Sequence, residues 1–248
     1  MTAPAIISQD TPHGPRWAYG TLGFISFDGA PGTGGEPLRN ALTVLQERHT
    51  DALANLLPER VPEHLQRTVG SMVYTATGEV LALATGEARA AREADLRWLE
   101  PARPVELALA ADTWNAYRAM DDAGRTWALD SADLTDLTAL VAHGNRVPLV
   151  DTIWNRAVER YREENWLVVQ NLAAQHPATA TIERPLAIGA DMDAARDEVR
   201  DLLAQHRARL EAVETNEKSV RDLLVFLGAV LGMTPGAVLD AALGRDHA

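Results

Sequence analysis

Val199-Arg-Asp-Leu-Leu-Ala-Gln-His-Arg-Ala-Arg-Leu-Glu-Ala-Val-Glu-Thr-Asn-Glu-Lys-Ser-Val-Arg-Asp-Leu-Leu-Val-Phe-Leu-Gly-Ala-Val-Leu231 is the stretch on which the fold turns. Within it Val199, Leu203, His206, Leu210, Val213, Glu217, Val220, Leu224, Leu227 and Leu231 alternate at spacings of four and three. Such a period puts them on one narrow helical stripe, as in a coiled coil or one long helix of a bundle. Gly232 and Pro235 end the run, and a short helix is expected from Pro235 to Leu243. Burial of apolar side chains this size stabilises by roughly 1.5–3 kcal/mol each, so the stripe needs a partner. That partner is either residues 36–165 of the same chain or the same helix in another copy. The second is the expectation: an interface between copies, with the polar His206 and Glu217 fixing its register.

Upstream, residues 175–190 hold Pro and Thr and read as an extended connector. Before it, Val150, Ile153, Trp154, Ala157, Val158 and Tyr161 define an amphipathic helix that opens near Pro148. Ser131 is placed to cap a helix through Leu134, Leu137, Leu140 and Val141, ending at Gly144-Asn145. Trp114 to Leu129 reads as a hairpin turning through Asp121-Asp-Ala-Gly124, and Met72 to Leu83 as another turning near Gly78. A helix fits Glu87 to Leu99. Another fits Glu36 to Leu57, where Leu38, Leu42, Leu45, His49, Leu53 and Leu56 share a face. Trp17 to Phe27 is the best strand of the first fifty residues. The fold class expected is therefore α+β and mainly helical, with small hairpins, amphipathic helices and a long C-terminal helix. Two domains are expected: an α+β body over 1–185 and a helical segment over 186–248.

Composition narrows the chemistry. The chain has no cysteine, which removes disulfides, thiolate metal sites and cysteine nucleophiles. Its formal net charge is −12, and no basic patch marks a duplex-binding surface. Lys218 is the one lysine, so neither Schiff-base chemistry nor a P-loop has another candidate. Gly29-Ala-Pro-Gly-Thr-Gly34 opens like a phosphate loop, but Gly35 and Glu36 stand where lysine and a hydroxyl are needed. Asp191-Met-Asp193 begins like a calcium loop, yet Ala195, Arg196 and Leu202 occupy the fifth, sixth and twelfth positions. Helix capping explains those acids better. The histidines, at 13, 49, 64, 143, 176, 206 and 247, show no paired-ligand spacing. No serine lies in Gly-x-Ser-x-Gly, and Asp121-Asp122 reads as a turn. The six tryptophans look too evenly spread to form a stacking platform. No cofactor, metal or catalytic residue is expected, nor a membrane or nucleic-acid partner. The first residues carry no secretory signal pattern.

One segment resembles a known family. Trp114 to Asn145 looks like a small module near the ends of bacteriophage tail-fibre and tail-fibre-assembly proteins, and the likeness extends over about 105–165. In that module a hairpin with a Gly-bearing turn leads into Leu-(Ser/Thr)-Ala-(Asp/Glu)-Leu and two helices. Here the parts are Asp121 to Gly124, Leu129 to Leu134, the helix to His143, and Pro148 to Glu164. The resemblance implies a non-enzymatic tail or virion structural protein working through protein–protein contacts with other virion proteins. It also implies a place in a virion or tail-like particle assembled in the bacterial cytoplasm. A tail-fibre assembly chaperone is the alternative, and an enzyme or nucleotide binder with a site near Gly29–Glu36 the second.

Overall fold

The structure, a computed structural model, describes residues 4–11, 14–25, 35–104, 107–141, 149–182 and 185–245. It is mainly helical α+β, with one small antiparallel sheet and a long C-terminal helix. Strands β1 (Ile6–Thr11), β2 (Gly14–Tyr19) and β3 (Leu22–Ile25) lie in sequence order. Ile6 stands opposite Tyr19 and Trp17 opposite Phe24. Between β2 and β3 the chain reverses through Gly20, whose φ of 61° suits a two-residue hairpin loop. Helices α1 (Gly35–Asn55), α2 (Val61–Leu99), α3 (Leu107–Ala119), α4 (Asp122–Ser131) and α5 (Leu134–Val141) follow. Then come α6 (Asp151–Val169), α7 (Leu172–Gln175), α8 (Met192–Leu231) and α9 (Pro235–Ala242).

The chain divides into two compact units, residues 1–90 with 210–248 and residues 91–209. These boundaries fall inside α2 and α8, not at residue 185, because each long helix supplies residues to both cores.

In the first unit one face of the sheet (Ile6, Trp17, Phe24) is buried with Leu38, Leu42 and Leu45 of α1. The same core takes Leu65, Val69, Val73, Ala76 and Val80 of α2, and Leu223, Phe226, Leu227, Val230 and Leu231 of α8. Phe24 meets the edge of Phe226 at 5.2 Å between ring centroids. The hairpin expected over Met72–Leu83 is instead helix, continuous within α2. The reason is the stripe from Leu65 to Val80, whose spacings of three and four outweigh the local β propensity of Val and Tyr. Gly78 serves a close approach, not a turn: a Cβ there would lie 2.4 Å from the carbonyl oxygen of Ala242. α8 ends on Gly232 at φ 64°, with the Met233 N–H donating to the Gly228 carbonyl at 2.8 Å. Thr234 then caps α9 by accepting from the Ala237 N–H, and Pro235 takes its first turn.

In the second unit Tyr117, Leu129, Leu137, Leu140, Ile153, Ala157 and Tyr161 form one core. A second gathers Trp98, Leu167, Leu172, Ala195, Val199 and Leu203. The hairpin expected over Trp114–Leu129 is also helical, as α3, a break and α4. Asp121 caps α4 by accepting from the Gly124 N–H at 2.8 Å, so the turn chemistry read there belongs between helices. Ser131 closes α4 instead of opening α5, and Asp133 caps α5 through the Asp136 N–H at 2.9 Å. The helix end at His143 to Asn145 and the start at Pro148 lie outside the described residues. Just past α2, Asn165 is fully buried: it donates to the Glu100 carbonyl and accepts from the Ala102 N–H, both at 2.8 Å. The Tyr161 hydroxyl donates to the Leu99 carbonyl, and burial pushes its pKa up to about 12. Burial, with Asp136 adding and Arg160 opposing, does the same for Tyr117.

The C-terminal stripe is shared between these cores. Val199, Leu203 and His206 are buried in the second unit, and Leu227 and Leu231 in the first. Leu210, Val213, Val220 and Leu224 are half-buried, and Glu217 is exposed. Towards the C-terminus both members of the pairs 226/227 and 230/231 are buried, a broad core face in place of a narrow seam. Much of the stripe thus finds cover within its own chain.

Candidate functional site

The second unit contains a cavity of about 590 Å³ between the end of α2, the ends of α6 and α7, and α8. One face of α8 lines it with Glu198, Leu202, Gln205, His206 and Arg209, at helical spacing. Trp98, Trp166 and Leu172 line it as well. The two indoles stack, with centroids 4.0 Å apart and planes 26° from parallel; the His206 ring lies 5.8 Å from Trp98. Two of the six tryptophans therefore do meet, although their sequence spacing gave no sign of it. Their positions, on α2 and α6, become neighbours only through tertiary packing.

Behind the stack, Asp95 accepts from Arg162 at 2.7 Å and from His206 Nε2 at 3.0 Å. A carboxylate only accepts, so Nε2 of His206 carries a proton in this arrangement. Asp95 thereby ties α2 to α6 and α8 through one oxygen, leaving the charged groups committed to one another. Arg209, further along the same face of α8, has no partner among the described residues.

Beside the cavity a closed loop leaves and re-enters the helices. Its neck is an antiparallel bridge between Pro177 and Ala190. The Ala178 N–H donates to the Gly189 carbonyl at 3.0 Å, and the Asp191 N–H to the His176 carbonyl at 2.7 Å. His176 also pairs with Glu198 on the cavity rim. Gly189, at φ 105°, adopts backbone that a side chain would strain. Asp191 then caps α8, accepting from the Ala194 N–H at 3.1 Å, which accounts for the acids that opened like a calcium loop. Beyond the neck, Ile182, Leu186 and Ile188 are 95, 84 and 92% exposed. The segment read as an extended connector is a tethered loop with an apolar tip.

The chain matches no protein-family model, no curated protein and no solved structure. Function must therefore be argued from this geometry. Of the glycine loop, Gly29 to Gly34 lie outside the described residues; Gly35 is buried at the start of α1, and Glu36 is exposed in its first turn. Among the described residues no three His, Asp or Glu side chains are placed to hold a metal ion, and no single helix is long and apolar enough to cross a membrane. Two signals for the loop are present in the sequence and escape its reading as a connector. One is the Gly189-Ala-Asp191 punctuation; the other is three large aliphatics in a segment without helical period.

Proposed function

We propose that this chain is a non-enzymatic structural protein of a phage or phage-derived tail or virion, acting through protein–protein contacts. The observation that carries the contact reading is the tethered loop at Pro177–Ala190. Large aliphatic side chains held nearly fully in water forgo roughly 1.5–3 kcal/mol each, which a partner's surface recovers. The neck lowers the ordering cost of binding, because the loop is closed before any partner arrives. The virion setting rests on the resemblance around Leu129-Asp-Ser-Ala-Asp-Leu134. That stretch forms the junction of α4 and α5, whereas the hairpin that precedes it in the tail-fibre module is here a helix pair.

The test is mass spectrometry of purified particles from a strain carrying a tagged chain. Incorporation of the wild type, and its loss in Ile182→Asp/Ile188→Asp with circular dichroism unchanged, is the expected result. A chain bound to fibre intermediates but missing from finished particles would place it with the assembly chaperones instead. A chain in neither would end the virion reading.

A further inference from the structure

α8 carries five arginines, and four of them have an acid beside them. Arg196 pairs with Glu164, Arg200 with Glu163, Arg207 with Glu159 and Arg221 with Glu217. Arg209 is the exception, without a partner among the described residues. Its helical neighbours three and four positions away are Gln205, His206, Ala212 and Val213, none of them acidic. Arg209 also lines the cavity of about 590 Å³ that the two stacked indoles line. We infer that this cavity is a binding site for a small aromatic carboxylate, whose rings lie among Trp98, Trp166 and the His206 imidazole and whose charge meets Arg209. Such a site is independent of the virion reading and adds to it.

Charge sets the sign of the ligand. The other charged groups at the cavity are already committed, Glu198 to His176 and His206 to Asp95, which Arg162 also holds. A cationic ligand would have to break one of these pairs. An anionic one meets a guanidinium whose planar fork matches a carboxylate through two parallel hydrogen bonds. The lining sets the body of the ligand. The Trp98 ring lies 4.0 Å from that of Trp166 and 5.8 Å from that of His206, so flat π surfaces dominate the site. Aromatic guests gain stacked or edge contacts from such surfaces beyond the apolar area they bury. Leu202, apolar, and Arg209 stand seven residues apart on α8, about 10 Å at the helical rise of 1.5 Å per residue. That span suits a fused two-ring acid. The volume falls within the ~300–1,000 Å³ range of pockets that enclose small ligands.

The walls are fixed before any ligand arrives. Asp95 holds His206, His176 holds Glu198, and the Gln175 side chain donates to the Gln170 carbonyl at 2.9 Å. Trp98 and Leu172 are buried in one core of the second unit, and Trp166 and Leu202 pack against it. Little of the lining therefore has to be ordered when a ligand binds, which keeps the entropic cost of binding low.

A ligand-observed NMR titration of the purified full chain with naphthoate tests the site. The expected Kd is roughly 0.1–1 mM, the range for a ligand of so few atoms. Naphthamide keeps the rings without the charge, and decanoate keeps the charge without the rings. Each should bind about 10-fold more weakly than naphthoate, or worse. Arg209→Gln should weaken naphthoate by about 10-fold and leave naphthamide unchanged. Gln205→Trp, at an exposed position of the lining, should fill the cavity and abolish binding of both, with circular dichroism unchanged. No binding of naphthoate at about 10 mM overturns the inference. Binding that both variants leave intact also overturns it, because the acid then sits elsewhere. Naphthamide or decanoate binding as tightly as naphthoate overturns the assignment of an aromatic acid. The titration uses the chain alone, so its failure is distinct from a failure to enter particles, which tests the virion reading.

Discussion

Asn165 shows how much one buried amide can hold. Its side chain satisfies the Glu100 carbonyl and the Ala102 N–H just past the end of α2, where helix termination leaves backbone groups unpaired. Asn165→Leu would remove both hydrogen bonds, and the expected loss is about 1–3 kcal/mol at roughly 0.5–1.5 per bond. Urea unfolding checks it: the midpoint should fall with the slope unchanged. Two glycines of α2 make a matched pair at the same scale. Gly86 has open space where a Cβ would go, and Gly86→Ala should stabilise by about 0.5–1 kcal/mol. Gly78→Ala should destabilise, because its Cβ would meet the Ala242 carbonyl oxygen, a backbone atom that cannot rotate aside. Thermal melts of the two variants moving in opposite directions would confirm the reading. Equal stabilisation by both would show that α9 yields easily.

Within the second unit, α6 and α8 are laced by arginines. Arg196 meets Glu164 at 3.2 Å, Arg200 meets Glu163 at 3.1 Å, and Arg207 meets Glu159 at 2.8 Å. The residue order is reversed between the two helices, so the ladder fits an antiparallel pair and penalises a one-turn slip. Each pair keeps contact with solvent and contributes about 0–1 kcal/mol. Arg196→Gln/Arg200→Gln/Arg207→Gln should therefore cost about 1–2 kcal/mol at low salt, and less in 1 M salt. A loss that salt leaves untouched would mean the arginine stems matter for packing instead. The ladder also shows what was legible in the sequence. α6 and α8 announced themselves through unbroken stripes, Ile153–Ala157–Tyr161 and Val199–Leu203–His206, because their buried faces are regular. α2 was read as a hairpin and a short helix because Val73, Tyr74 and Val80 carry β propensity and Gly78 mimics a turn. The stripe through Leu65, Val69, Val73, Ala76 and Val80 was present, but local composition drowned it. Trp98 with Trp166, and Asp95 with Arg162 and His206, were illegible for a different reason. Their members come from separate helices, and nothing local requires them to meet.

Across the whole chain, the two units differ in what acid should do to them. In the first, His49 lies in the α1 face against the edge of Tyr19, with ring centroids 5.6 Å apart. It is 1% exposed, and its Nδ1 has no hydrogen-bond partner. Burial lowers its pKa from the ordinary 6.5, so the folded unit holds it neutral while the unfolded chain takes up a proton near pH 6.5. The unfolded state then binds more protons between those two values. The stabilisation of the first unit is accordingly full above about pH 6.5 and falls as the pH drops through it, continuing until the folded histidine itself titrates. The second unit's buried imidazole, His206, is hydrogen-bonded to Asp95, whereas Nδ1 of His49 has no such partner. Acid should therefore loosen the first unit through His49. Hydrogen exchange between pH 7.5 and 5.5, corrected for intrinsic rates, reads this locally. Protection of α1 amides should decline as the pH falls. In His49→Leu the α1 decline should vanish, and protection at pH 7.5 should be retained or improved, because a buried polar atom without a partner has been removed. An α1 decline that persists in His49→Leu would assign the sensitivity to carboxylates elsewhere in the first unit.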